Sequence, residues 1–173
     1  GGAKRVGAAV CRELHAHGAQ LMVHYNQSHA EARALQAELN LQRPNSVAII
    51  QADLLNTAVA PSLVQETIQH FGRLDVLINN ASSYYATEIG QINEENWLDL
   101  MGSNLKAPAF LAQAAAAELR KQMGTIVNIT DMHIERPKKG YIIYSVAKAG
   151  LVTLTKSLAL ELSPEVRVNA VAP

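Results

Sequence analysis

Apolar residues change their period repeatedly along the chain, and each change marks an element. Val6, Val10 and Leu14 recur at four-residue spacing, which predicts a helix that Gly18 stops. "LMVHY" (21–25) is a short apolar run read as a buried strand, and "HAEARALQAELN" (29–40) is a helix rich in alanine and leucine. "VAIIQ" (47–51) is the next strand and leads to Asp53-Leu54. Residues 60–71 form a helix closed by Gly72, and "LDVLINNA" (74–81) is a strand running into a polar turn. A single long helix is expected over 94–122, with Trp97, Leu100, Met101 and Leu111 in the core. "TIVNIT" (125–130) is a strand, "YSVAKAGLVTLTKSLALEL" (144–162) a helix, and "VRVNAVA" (166–172) the last strand.

Strands separated by helices of this length imply βαβ crossovers and a parallel sheet covered on both faces. The expected class is α/β, a doubly wound sheet forming one domain over residues 1–173, with no internal repeat or linker. In such sheets ligands bind beyond the carboxyl ends of the strands. That directs attention to the opening turn, 25–28, 53–54, 79–84 and 130–131.

Composition narrows the partners. The 173 residues carry a formal net charge of +0, which offers no footprint for nucleic acid or an anionic membrane. Cys11 is the only cysteine, so there is no intrachain disulfide, and a reducing, cytoplasmic setting is expected. No uninterrupted apolar run approaches the ~20 residues that span a bilayer. The six histidines, His133 among them, show no metal-ligand spacing, and none is assigned to a site. Lys138-Lys139 read as a solvated loop that an acidic substrate would meet.

Two stretches carry chemistry. In "GGAKRVG", Gly1, Gly2 and Gly7, with a helix beginning near Lys4, would present backbone N–H groups to a pyrophosphate, with Arg5 adding a fixed charge. An ordinary glycine turn has the same appearance. In "YSVAK", Tyr144 and Lys148 stand one helical turn apart on one face. A nearby ammonium stabilises a phenolate, which makes the pair a tuned general acid. Tyr141 has Ser145 one turn on and is the weaker candidate.

Together these residues resemble the short-chain dehydrogenase/reductase family along essentially the whole chain. The matching pieces are "GGAKRVG", Asp53-Leu54, "NNA" at 79–81, Ser103-Asn104, Tyr144-x-x-x-Lys148 and the closing "RVNAVAP". The resemblance implies a Rossmann-type fold, hydride transfer from a nicotinamide cofactor, and a catalytic group of Asn104, Tyr144 and Lys148, with Lys148 also on the nicotinamide ribose. Most members carry a serine thirteen residues before the tyrosine; this chain has Asp131 there. A carboxylate would repel a developing oxyanion but suits protonation of a ring nitrogen. Asp131 as a mere loop cap is the plain alternative, and Thr130 is a second possible source of a hydroxyl.

Asp131 points to the pteridine reductase branch, as do "HYNQS", "RPNS", "NNASSYY" and "GSN". That resemblance implies Tyr84 stacked on a pterin ring and Arg5 and Ser82 reaching substrate or cofactor. The substrate residues it implies are thus Arg5, Ser82, Tyr84, Asp131 and Tyr144. The cofactor residues are Gly1, Arg5, Val6, Tyr25, Asn26, Gln27, Ser28, Asp53, Leu54, Asn80, Ala81, Ser82, Tyr144 and Lys148. No acid follows the "LMVHY" strand to repel a 2′-phosphate, so NADPH is expected, although the branch would have an arginine at Gln27. A homotetramer through the two long helices is implied as well. A 3-oxoacyl-carrier-protein reductase and a non-catalytic dinucleotide-binding regulator stay open as alternatives. In the expected strand order a first strand lies between "LMVHY" and "LDVLINNA". The chain is therefore expected to be a segment that lacks this strand and a C-terminal portion.

Overall fold

Every strand pairs in parallel, which is what apolar runs separated by helices require. The computed structural model describes residues 1–173, and they divide into two compact units, 1–53 and 54–173. Both have the α/β architecture of a Rossmann-type fold.

The first unit contains α1 (Arg5–Ala16), β1 (Leu21–Tyr25), α2 (His29–Gln42) and β2 (Val47–Gln51). β1 and β2 form a two-stranded sheet in register from Leu21↔Val47 to Tyr25↔Gln51. Its core is Ala8, Val23, Leu35, Leu39 and Val47, with Cys11 packed against it. α1 buries Gly7, Ala8 and His15 rather than Val6, which stays half-exposed. Small residues there let the helix approach the sheet closely. His15 is a buried structural group, with Nε2 2.7 Å from Ser46 Oγ.

The second unit contains α3 (Ala60–Phe71), β3 (Val76–Asn79), α4 (Glu94–Met101), α5 (Ala107–Lys121), β4 (Thr125–Ile129), α6 (Ile142–Glu161) and β5 (Arg167–Val171). Its sheet runs β3-β4-β5. Val64, Ala112, Ala115, Leu119, Ile126 and Val168 form the main core. A polar ladder crosses it: Asn79 Nδ2 donates to Asn128 Oδ1 (2.8 Å) and Asn128 Nδ2 to Thr155 Oγ1 (2.9 Å). These buried amides fix β3, β4 and α6 to one another just below the strand ends, because buried polar groups left unpaired are costly.

The expected helix over 94–122 is in fact interrupted. α4 ends at Met101, residues Gly102–Lys106 form one π turn in which the Ala107 amide reaches back to Gly102 O, and α5 follows. Pro108 has no N–H to give to residue 104, so the regular ladder cannot continue through this point. Gly102 is needed as well, since a Cβ there would lie 2.6 Å from Leu55 Cδ2. Such π insertions recur at functional positions. Leu100 is fully buried as expected, but Trp97 is 44% exposed and does not belong to the core.

α6 is, by length and composition alone, apolar enough to cross a membrane, with 20 residues and mean hydropathy 1.2. It buries Ile143, Tyr144, Ala147, Lys148, Leu151 and Thr155 against the protein instead.

Candidate active site

β4 ends at Ile129, and the chain turns at Asp131 into one short helical turn, Met132–Ile134. Asp131 caps that turn, as an aspartate at a strand end commonly does: Oδ1 accepts from the His133 amide at 2.7 Å. It does more than cap. His133 Nδ1 lies 2.8 Å from the same Oδ1, and Tyr144 Oη donates to Oδ2 at 2.6 Å. Tyr144 and Lys148 both point inward from the first turns of α6 and are buried. Lys148 Nζ donates to Ile129 O at 2.8 Å and sits 5.8 Å from the Tyr144 ring centre. Asp131, Tyr144 and Lys148 thus converge at the carboxyl end of β4.

The electrostatics differ from what the Tyr-x-x-x-Lys spacing predicts. Burial, and then the Asp131 carboxylate that holds its proton, push the Tyr144 phenol well above its ordinary range. Lys148 bonds a backbone carbonyl rather than the phenol oxygen. Burial brings its ammonium down to about 8, with the Asp131 charge opposing the shift. Burial also pushes Asp131 up, yet the bonds from Tyr144 and His133 outweigh it and leave the carboxyl below its usual value. Lys148, not Tyr144, is the member of this pair that titrates near neutrality. Thr130 offers no spare hydroxyl proton, since Oγ1 donates to Val171 O at 3.1 Å.

Asn104 lies on the π turn and is completely buried. Its Nδ2 donates to Leu100 O (2.9 Å) and Ser83 O (3.0 Å), and its Oδ1 accepts from Ser82 Oγ (2.6 Å). Ser83 adds bonds from its Oγ to Asp99 Oδ1 (2.8 Å) and from its amide to Ser103 Oγ (3.2 Å). The loop after β3 is therefore stitched to the π turn, and Asn104 is the central stitch. Asn80 and Ala81 lie partly buried at the start of this loop.

Tyr84 extends from the same loop, 51% exposed. Its ring stacks on Tyr141 (4.7 Å between centres, 21° between planes) and meets Tyr144 edge-on (4.8 Å, 76°). Lys138 Nζ lies 4.5 Å from the Tyr141 ring centre and donates to Tyr84 Oη at 3.4 Å. Lys138 is thus not simply solvated; it rests on an aromatic pair. Tyr141, rated the weaker tyrosine on spacing, is the inner face of that pair.

The remaining site residues of the first unit gather around α1 and β1. The Gly2 amide donates to His24 O at 2.9 Å, and a Cβ on Gly2 would lie 2.9 Å from Val23 Cγ1, so only glycine lets the turn lie against β1. Gly1, Lys4, Arg5 and Val6 are exposed at the start of the helix. Arg5 has φ +48°, a left-handed conformation that glycine adopts freely and arginine adopts at a cost of roughly 1 kcal/mol or more. Tyr25 ends β1, Asn26 and Gln27 are exposed, and Ser28 precedes α2, so residues 25–28 present no carboxylate. Asp53 is exposed beyond β2; Leu54, half-buried, opens the second unit. Exposed backbone at a helix start, the Arg5 cation and no acid at 25–28 suit a phosphate-rich dinucleotide, while the neighbouring Lys4 is paired with Glu31 at 2.6 Å.

His133, Ser83 and Asp99 are the neighbours of the site that the sequence reading passes over; Lys138, Tyr141 and Ser103, which it weighed less heavily, are brought to the site as well. The available signal was Asp-x-His directly after a strand, a spacing that lets a capping aspartate meet the ring two residues on.

Comparison with known proteins accords with this geometry. A family model described as short chain dehydrogenase matches residues 1–173. Pteridine reductase 1 of Leishmania tarentolae is 39% identical over 212 residues, covering 100% of this chain and 73% of the relative. A 3-oxoacyl-[acyl-carrier-protein] reductase of Synechocystis sp. is 35% identical over 176 residues, covering 100% and 70%. One from Staphylococcus aureus is 32% identical over 175 residues, covering 100% and 71%. The chain belongs to the short-chain dehydrogenase family of oxidoreductases.

Proposed function

We propose that this chain is an NADPH-dependent pterin reductase, converting dihydropterin to tetrahydropterin and extending to dihydrofolate or folate. One observation carries the reading. Where a carbonyl reductase needs a neutral hydroxyl donor, this site holds a carboxylate bonded to Tyr144, with the exposed Tyr84 ring beside it. An anion favours a substrate that becomes positive at a ring nitrogen, and an aromatic face favours a flat heterocycle. The similarity to pteridine reductase 1 supports the same reading.

When bound, NADPH supplies the hydride. Gly1, Arg5 and Val6 would receive its phosphates, and Tyr25, Asn26, Gln27 and Ser28 the 2′-phosphate. Asp53, Leu54, Asn80, Ala81 and Ser82 would line its remaining length, with Tyr144 and Lys148 at the nicotinamide ribose. On the substrate side, Arg5, Ser82 and Tyr84 would orient the pterin. Asp131 and Tyr144 hold the proton that the product gains, and Lys148 supplies positive charge beside them. Asn104 orders the loop that carries Ser82 and Tyr84, and would order a water as well. A homotetramer through α4, α5 and α6 belongs to this reading; Trp97, Leu98, Phe110, Ile142 and Val146 leave apolar surface on those helices.

A carbonyl reductase is the second reading, favoured by the 35% identity to a 3-oxoacyl-[acyl-carrier-protein] reductase. The test is NADPH oxidation by the full-length protein with dihydrobiopterin and with a 3-oxoacyl thioester. Turnover of dihydrobiopterin alone, or in clear excess, supports the proposal. Turnover of the thioester alone overturns it, and tight NADPH binding with no turnover of either would assign a non-catalytic regulator.

A further inference from the structure

The loops that carry Tyr84 and Tyr141 are tied together. The Thr87 amide donates to Gly140 O at 2.6 Å, and Thr87 bridges Tyr141 in parallel. The Tyr141 amide in turn donates to Lys138 O at 3.2 Å. Gly140 completes this turn with φ +82°, in the left-handed region that favours glycine. Lys138 therefore stands on an anchored turn. Its ammonium donates to Tyr84 Oη at 3.4 Å and lies 4.5 Å from the centre of the Tyr141 ring. The groups that act on it are these two tyrosines, with no carboxylate among them, so its charge is held in place and left uncancelled. Asp131 stands at the opposite end: Tyr84 meets Tyr144 edge-on at 4.8 Å, and Tyr144 donates to Asp131. The site thus runs from an acid only 18% exposed, past the half-exposed Tyr84 ring, to an exposed cation. A flat heterocycle lying at Tyr84 with its basic nitrogen toward Asp131 would send its side chain outward past Lys138.

We propose that Lys138 is a specificity residue that selects pterins whose side chain carries an anionic group, a carboxylate or a phosphate, over pterins whose side chain is neutral. The proposal rests on the pterin reading and narrows it. The ring decides whether a molecule is reduced, and the side chain decides how firmly it is held. Lys138 should therefore act on KM more than on kcat. Arg136 and Lys139 add positive charge to the same segment, and Glu88 packs beside Gly140. A diffuse surface field is thus the rival explanation. Lys139 is equally exposed and next in the chain, which makes it the control.

The test uses the full-length protein with saturating NADPH at a single pH. Two substrate pairs are compared: dihydrofolate against dihydrobiopterin, and dihydroneopterin phosphate against dihydroneopterin. Each pair shares its reacting ring, so Asp131, Tyr144 and Lys148 act alike on both members and cancel from the ratio of their kcat/KM values. Lys138→Met keeps the side-chain stem over Tyr141 and removes the charge. It should lower the anionic-to-neutral ratio roughly two- to fivefold, through KM. Lys138→Glu should lower it roughly tenfold, and Lys138→Arg should hold it at the wild-type value. Raising the ionic strength from about 0.01 to 1 M should lower the ratio in the wild type and leave it flat in Lys138→Met. A response confined to the first pair assigns a carboxylate and one confined to the second a phosphate; either supports the proposal. Ratios that Lys138→Met leaves unmoved in both pairs overturn it, even where both members lose activity equally, because Lys138 then only props Tyr84. An equal fall in Lys139→Met overturns it as well, in favour of the diffuse field. In those cases dihydrobiopterin turnover shows that the pterin reading survives, whereas no turnover of any dihydropterin removes that reading and the proposal with it.

Discussion

The glycine turn of residues 1–53 and the cluster at the end of β4 both present polar groups at strand ends, yet they are built in opposite ways. The turn is local and uses backbone: Gly2 lies against Val23, and Arg5 holds a left-handed φ at the helix start. The cluster is long-range and uses buried side chains: residues from 82 to 148 meet through Ser82–Asn104 and Asp131–Tyr144 bonds. A backbone cradle accepts any ligand with the right phosphates. A side-chain cluster sets charge, and on the proposed reading that charge selects the substrate. Variants in the two regions should therefore fail differently, the cluster in chemistry and the turn in cofactor affinity.

The largest expected effect is at Tyr144. Tyr144→Phe removes the proton bonded to Asp131, and kcat/KM should fall on the order of 10²–10⁴-fold, with a much smaller loss of NADPH affinity from the single hydroxyl contact proposed at the ribose. An equal loss in NADPH binding, measured by fluorescence titration, would erase the division of labour. Next is Asn104→Ala. It leaves Leu100 O and Ser83 O without their donor in a buried setting, so urea unfolding should show a loss of about 2–3 kcal/mol. Activity should drop with it, because Tyr84 rides on the same loop.

The pH dependence follows in size. Lys148 is held down to about 8 by burial, so its ammonium is present below that pH and lost above it. The kcat/KM for dihydrobiopterin should decline above about pH 8, approaching tenfold per unit, and Lys148→Arg should shift the decline upward. The smallest effect is at Arg5. Arg5→Gly relieves the left-handed strain and should raise stability by about 1 kcal/mol, less the extra freedom glycine gains in the unfolded chain. NADPH binding should weaken at the same time. A variant both less stable and unchanged in NADPH affinity would remove Arg5 from the cradle.

Much of this was legible in the sequence, for a physical reason. β1 and β2 match the apolar runs at 21–25 and 47–51 residue for residue, because buried parallel strands are continuous apolar segments bounded by turn residues. The 94–122 helix was misread as unbroken: periodicity sees Leu100 and Leu111 on one face but not the missing N–H of Pro108. Trp97 was misplaced because a four-residue spacing does not reveal which face stays uncovered. Tyr144 and Lys148 were found by spacing, but the direction of the Tyr144 shift was not. It depends first on burial of the ring, and then on Asp131 thirteen residues away accepting the hydroxyl proton. His133 was passed over as an ordinary histidine, since only the fold turns its ring back onto Asp131.

The claim that Asp131 fits this site to a basic heterocycle is tested most directly by one substitution. Steady-state NADPH oxidation should be measured for the full-length protein and for Asp131→Ser, with dihydrobiopterin and with a 3-oxoacyl thioester. The expected result is a large loss of dihydrobiopterin kcat/KM in Asp131→Ser with thioester turnover held or raised. Dihydrobiopterin turnover that survives the substitution intact would contradict the account.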